Sequence, residues 1–216
     1  MRLVHTPFKL IKALIKNCVN FSPEIIDELI NVNYDLNIYN HNGTTPLIDT
    51  IGASKRDLST FKKLIAYGVD INLPDKRNYY GSPFHLACSE NSLEMVEILI
   101  KCGVDINAKY RTETELMICA REQKIELLDL LINSGADLDI QNSYGETALH
   151  IASSQRQCLP VIERLLEAGA DLHIKNNYRK DWYENTYKYV QKFIVKNYPD
   201  FLEERELRRD AEKYNL

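Results

Sequence analysis

The sequence predicts an all-α repeat solenoid, and three observations carry that prediction. A five-residue phrase returns along the chain: Gly68-Val69-Asp70-Ile71-Asn72, Gly103-Val104-Asp105-Ile106-Asn107, Gly135-Ala136-Asp137-Leu138-Asp139 and Gly169-Ala170-Asp171-Leu172-His173. With a worn copy at Tyr34-Asp35-Leu36-Asn37, the aspartates Asp35, Asp70, Asp105, Asp137 and Asp171 are spaced by 35, 35, 32 and 34 residues. A period of this size marks stacked supersecondary units, not one globular core. Ahead of each phrase run short apolar segments with helical spacing. Helices this short are marginal in water unless each buries its apolar stripe against a neighbouring copy.

The elements follow in chain order. Pro7 to Ile15 and Pro23 to Ile30 form a degenerate first helix pair, whose lysines Lys9, Lys12 and Lys16 give it a solvated face. Gly43-Thr44-Thr45-Pro46-Leu47 opens a full unit, and Phe61-Lys62-Lys63-Leu64-Ile65 carries its second helix. The clearest unit runs from Tyr80 to Lys109. Ser82 suits an N-cap, Pro83 suits the first helical position, and Glu90-Asn91-Ser92 breaks the helix. Met95, Val96, Leu99 and Ile100 then share one face of a second helix, with Glu94, Glu97 and Lys101 outward. Gly103 ends that helix in the left-handed conformation. Thr114 to Ala120 with Ile125 to Ile132, and Gly145 to Ala152 with Pro160 to Leu166, repeat the pattern. Trp182 to Tyr187 and Phe193 to Val195 form a closing element. Beyond Pro199, both charge signs alternate at helical pairings. That predicts a solvated helix placing Phe201 and Leu202 on the last repeat, with a partner-docking or targeting tail as the alternative.

Bulk properties restrict the function. The chain has 216 residues, 44% hydrophobic and 27% charged, with a formal net charge of -4. That composition suits a folded protein and gives no electrostatic footprint for nucleic acid. No stretch is apolar enough for a membrane span, and the N-terminus lacks a secretory pattern. The five cysteines, Cys18, Cys88, Cys102, Cys119 and Cys158, show no Cys-x-x-Cys spacing. They are expected to be reduced and mostly buried, as in cytosol or nucleus, and no ligand cluster suggests zinc. There is no phosphate-binding glycine loop, His-Glu-x-x-His or Gly-x-Ser-x-Gly. His85 and Cys88 share a helix but lack a third orienting group. The expectation is no enzyme, no catalytic residue, no metal and no cofactor.

These units resemble the ankyrin repeat, whose signature contains Gly-x-Thr-Pro-Leu-His-x-Ala and closes with Gly-Ala-Asp-Val-Asn. The resemblance covers about residues 20 to 190. It implies a β-turn plus two antiparallel helices per unit, with 1–38 a degenerate capping repeat, 39–196 the repeat domain with its C-terminal cap, and 197–216 a charged helix or tail. His85 and His150 fall on the signature's histidine, which bonds locally to backbone and hydroxyl. Tyr80 and Thr112 stand where the family has the turn glycine, and Glu115 and Ala148 replace the proline. Extra residues lie in Asp75 to Tyr80, Gly52 to Asp57 and Gln155 to Cys158. Such insertions map to loops, either as binding-face features or as drift in exposed turns.

The resemblance implies a protein partner held on the turn tips and the inner helices of the concave face. Tip candidates are His41, Asn42 and Thr44; Asn78 and Tyr79; Tyr110 and Arg111; Ser143, Tyr144 and Glu146; and Asn177, Tyr178 and Lys180. Inner-helix candidates are Ser89, Glu90, Arg121, Glu122, Ser154 and Gln155. Tyr79, Tyr110, Tyr144 and Tyr178 recur at nearly one tip position, which would align them as a ladder of aromatic anchors, unless tips merely tolerate tyrosine. The expectation is a monomeric, cytoplasmic or nuclear interaction module with no direct nucleic-acid or membrane contact. One alternative is a viral or intracellular-pathogen effector capturing a host protein in the host cytosol, since abundant Asn, Ile, Lys and Tyr hint at an AT-rich genome. Another is a transcription-linked regulator acting through a protein partner. Family resemblance also raises hydroxylation of Asn72 or Asn107, against a plain turn-capping role.

Overall fold

The computed structural model describes residues 21–52, 57–77, 81–200, 203, 205 and 206. The expected first helix of the N-terminal pair, the insertion at 53–56, the tip residues Asn78, Tyr79 and Tyr80, and Phe201 and Leu202 lie outside them. The chain divides into two compact units, residues 1–105 and 106–216.

In the first unit, α1 (Pro23–Asn31), α2 (Pro46–Gly52), α3 (Leu58–Tyr67), α4 (Pro83–Ser89) and α5 (Leu93–Lys101) form two layers. The inner helices α2 and α4 pack on each other, and α3 packs on both α1 and α2. Each start has a local cause. Ser22 Oγ accepts the Ile25 N–H, Thr45 Oγ1 accepts that of Ile48, and Asp57 caps Thr60 through both its N–H and its hydroxyl. Pro23, Pro46 and Pro83 each occupy a first helical position. Ile26, Leu29, Leu47, Ile51, Phe61, Leu64, Phe84, Met95, Val96 and Leu99 make the core. Asp49, on α2, collects the Phe21 N–H at 2.8 Å, Asn40 Nδ2 at 3.0 Å and the Thr44 hydroxyl at 2.5 Å, which ties the entry of α1 to the first tip. Burial raises its carboxyl above the usual range, and these hydrogen bonds offset part of that rise.

In the second unit a short hairpin, β1 (Lys109–Tyr110) and β2 (Glu113–Thr114), leads into α6 (Glu115–Glu122). Then come α7 (Ile125–Asn133), α8 (Ala148–Ser153), α9 (Leu159–Glu167), a 3-10 turn at Trp182–Asn185 and α10 (Lys188–Asn197). The inner row runs α6, α8 and the 3-10 turn, and α7 and α9 form the outer row. Leu116, Leu127, Leu128, Leu131, Leu149, Ile162, Leu165 and Trp182 fill the space between. Trp182 and Asp181, whose Oδ1 accepts the Glu184 N–H as a cap, make the closing element a truncated repeat. Val190 and Ile194 seat α10.

The recurring aspartate has two jobs. In three of the phrases its Oδ1 accepts the N–H two residues on: Asp70 from Asn72, Asp137 from Asp139 and Asp171 from His173, at 2.8–2.9 Å. Its own N–H is taken by the preceding repeat. Asn37 Oδ1 accepts Asp70 N–H at 2.7 Å, Asn107 Oδ1 accepts Asp137 N–H at 2.9 Å and Asp139 Oδ1 accepts Asp171 N–H at 2.9 Å. The motif that betrays the repeat is therefore an Asx turn joined by rungs to the next copy.

Candidate binding surface

Three tips are built alike around a buried asparagine. Asn40 Oδ1 accepts the N–H groups of Asn42 and Thr44. Asn142 Oδ1 accepts those of Tyr144 and Glu146, and Asn176 Oδ1 those of Tyr178 and Lys180. Each closes with a left-handed residue three positions on: Gly43, Gly145 or Arg179. Sequence reasoning passed over Asn40, Asn142 and Asn176, although their fixed distance before the helix cap was a readable signal.

The tip before α6 is different. Lys109 stands at the asparagine position and offers no acceptor there, so the chain pairs Lys109 with Thr114 and Tyr110 with Glu113 in a two-residue hairpin. The left-handed residue then falls at Arg111 (φ 60°), not at Thr112, the position aligned with the family's turn glycine. Gly81 likewise carries the positive φ, at 71°, beside Tyr80.

This wiring decides where the tip candidates lie. Tyr144 is 59% exposed and Tyr178 is 70% exposed, at equivalent positions. Tyr110 is half-buried on β1, one position earlier, with the Arg111 guanidinium 5.4 Å from its ring centre. His41 is exposed and Asn42 half-buried. Ser143 and Asn177 are exposed, and Asn177 Nδ2 donates to the Ser143 carbonyl at 3.0 Å. Half-buried Glu146 accepts from Asn142 Nδ2.

Neighbouring tips are pinned together. Asn177 N–H donates to the Tyr144 carbonyl at 3.0 Å, Lys76 N–H to that of Gly43 at 2.8 Å, and Lys109 Nζ to that of Gln141 at 2.8 Å. Gln141 Nε2 reaches the carbonyls of Gly145 and Lys175. Tyr144 and Tyr178 thus stand on fixed backbone, which lowers the ordering cost of binding.

The inner-helix candidates Ser89, Glu90, Arg121, Glu122 and Ser154 are exposed, and Gln155 is half-buried. Arg121 pairs with Glu113 and Lys124 with Glu122, so much of this charge is locally compensated. Just inside lies Glu115, the first residue of α6 and only 3% exposed. Burial pushes its carboxyl up to about 8, against the weaker pull of the Lys124 ammonium, while Glu122 adds to the rise. Burial also pushes up the neighbouring Cys119 thiol. Cys88, Cys119 and Cys158 are buried free thiols and Cys102 is an exposed one. Among the described residues no group of His, Cys, Asp and Glu is placed to hold a metal, and no helix is long and apolar enough to cross a membrane.

His85 and His150 are local ties. His85 Nδ1 sits 2.7 Å from Ser82 Oγ. His150 Nδ1 accepts from Thr147, and Nε2, 3.2 Å from the Lys180 carbonyl, must carry the proton. That geometry needs the neutral ring. Burial lowers the His150 pKa, and the Lys180 carbonyl with Glu146 and Asp181 recovers part of the shift.

A two-layered helix-pair repeat with side-chain rungs and pinned tips is the architecture of a repeat interaction protein. A family profile for ankyrin repeats in three copies matches residues 10–110 and 85–176, so the chain belongs to the ankyrin-repeat family. Ankyrin repeats generally act as protein–protein interaction modules. Among curated proteins, mouse ankyrin repeat and SOCS box protein 11 is 30% identical over 93 residues, 42% of this chain and 29% of that protein. The mouse B-cell lymphoma 3 protein homolog is 28% identical over 64% of this chain and 32% of its own length. Chicken nuclear factor NF-kappa-B p105 subunit is 29% identical over 61% and 14%. The chain therefore spans about a third or less of these relatives. Among solved structures, the ankyrin repeat protein EF0377 superposes with a TM-score of 0.64 at 27% identity, covering 75% of this chain and 83% of that one. The ankyrin repeat domain of Bcl-3 gives 0.59 at 20% identity, covering 81% and 91%, a likeness of fold alone.

Proposed function

We propose that this chain is a non-enzymatic interaction module that binds a protein partner through its turn tips and inner-helix ends. The observation carrying the proposal is the exposure of Tyr144 and Tyr178 on tips whose backbone is already fixed. Aromatic rings on rigid turns supply contact area at little entropic cost, which is the make-up of binding hot spots. Residues 39–196 act as the repeat domain, between the cap at 1–38 and the charged segment 197–216. The chain works as a monomer in the cytoplasm or nucleus, without direct contact with nucleic acid. A second reading, a transcription-linked regulator acting through a protein partner, draws support from the likeness to a nuclear factor subunit.

Affinity capture with mass spectrometry, comparing wild type with a Tyr144→Ala/Tyr178→Ala variant of unchanged circular dichroism, tests the proposal. The expected result is a partner held by wild type and lost by the variant. Equal retention by both would reject the tips as the binding surface.

A further inference from the structure

We propose that the turn edge of the second unit receives an acidic, extended polypeptide segment. This rests on the interaction-module reading and names the chemistry of the partner. Arg111 and Arg179 occupy the left-handed region, with φ of 60° and 59°. A side chain with a Cβ is strained there, and glycine is the inexpensive choice, as Gly145 shows at the intervening tip. Both arginines are exposed, and each directly follows a tyrosine in the chain. Strain kept at the left-handed corner of both turns, each time under a guanidinium although the two corners differ by one position in register, fits residues held for recognition and not for stability.

The surrounding charge has the same sign. Lys109 is exposed on the turn of Arg111, and Lys175 and Lys180 are exposed on that of Arg179. Of the carboxylates Glu113 and Glu146, the first is paired with Arg121, and the second, bonded only by the neutral Asn142 amide, is outnumbered by these cations. The edge is therefore basic in a chain whose formal net charge is -4. Guanidinium groups take carboxylates in two-point hydrogen bonds, and the exposed faces of Tyr144 and Tyr178 offer apolar contact between them. An extended peptide with spaced Asp or Glu and an apolar residue satisfies both features. A nucleic-acid duplex fits less well, because its continuous phosphate charge would meet the negative remainder of the chain.

The test pans a random peptide library on the full chain, then measures enriched peptides by fluorescence anisotropy against wild type, Arg111→Gly/Arg179→Gly and Arg111→Gln/Arg179→Gln. A DNA duplex serves as the competing probe. Enriched peptides should be rich in Asp and Glu, and their binding should weaken with added salt. Both double variants should bind about tenfold or more weakly. The glycine variant should melt at or above the wild-type temperature, which separates lost binding from lost folding. The glutamine variant keeps a side chain at both corners and reads the charge alone. Enrichment without acidic residues, equal binding by both variants, an empty selection, or preference for the duplex would each overturn the proposal. If the selection fails while capture by wild type still depends on Tyr144 and Tyr178, the acidic class alone is wrong and the module reading stands.

Discussion

Replacing Glu115 with glutamine should remove a pH-dependent weakness from the second unit. Glu115 opens α6, at a helix N-terminus that favours a carboxylate, yet burial dominates and raises its carboxyl from 4.5 to about 8. The native state therefore holds a proton that the unfolded state releases above pH 4.5. Stability is fully present below that value and is lost as pH rises through about 8. The slope is about 1.4 kcal/mol per pH unit, so wild type should lose about 3 kcal/mol between pH 5 and pH 7 through this residue. Glutamine has nearly the same shape and no proton to lose. Glu115→Gln should match wild type within about 1 kcal/mol at pH 5 and exceed it by about 3 kcal/mol at pH 7. Urea unfolding followed by circular dichroism at pH 5, 6, 7 and 8 measures the difference. Because Asp49 and His150 titrate equally in both proteins, they cancel in it. Parallel stability profiles for the two proteins would refute the argument.

Three further outcomes follow from packing and hydrogen bonding. A Cβ at Gly145 would lie 2.5 Å from Asn177 Oδ1 and 2.7 Å from its nitrogen, at a φ of +74°. Gly145→Ala should cost about 3 kcal/mol and Gly68→Ala, with nothing within 4 Å, about 1 kcal/mol. Equal shifts in melting temperature would contradict that ranking. Arg205 Nε donates to Asp181 Oδ2 at 2.6 Å, reaches Glu184 and lies 5.1 Å from the Tyr183 ring centre, so Arg205→Ala should cost about 2 kcal/mol in urea unfolding. A loss no larger than that of a solvent-facing Lys192→Ala control would mean the clamp does not hold. His150 must stay neutral, so its contribution is present above the unfolded value of 6.5 and is lost as pH falls through its lowered folded value. An imidazole titration followed by NMR should give a midpoint below 6.5, and one at or above it would refute the claim that burial favours the neutral ring.

The helices were readable because their causes are local. Ser82 with Pro83, Thr147 with His150, and the spacing of Met95, Val96 and Leu99 act within one or two turns. The distinct hairpin was not readable, since nothing in Arg111 announces a left-handed backbone. It follows from what Lys109 lacks, an acceptor to anchor the tip. The supposed tyrosine ladder illustrates the same limit. Tyr144 and Tyr178 are equivalent in space, whereas the hairpin moves Tyr110 out of register and partly inward. Glu115 stood out in the sequence as a replacement for proline, but its burial comes from tertiary packing, which the local sequence does not display. The Arg205 contact with Asp181 spans 24 residues and leaves no periodic trace.

The rungs from Asn37 to Asp70, Asn107 to Asp137 and Asp139 to Asp171 each join a phrase to the next one along the chain. A contact that never reaches beyond the adjoining copy can form as soon as that copy has been synthesised. During translation, each new helix pair would find its docking partner already folded just ahead of it. Apolar stripes would then wait in water for only about one repeat's worth of synthesis, which shortens the interval in which a nascent chain can aggregate.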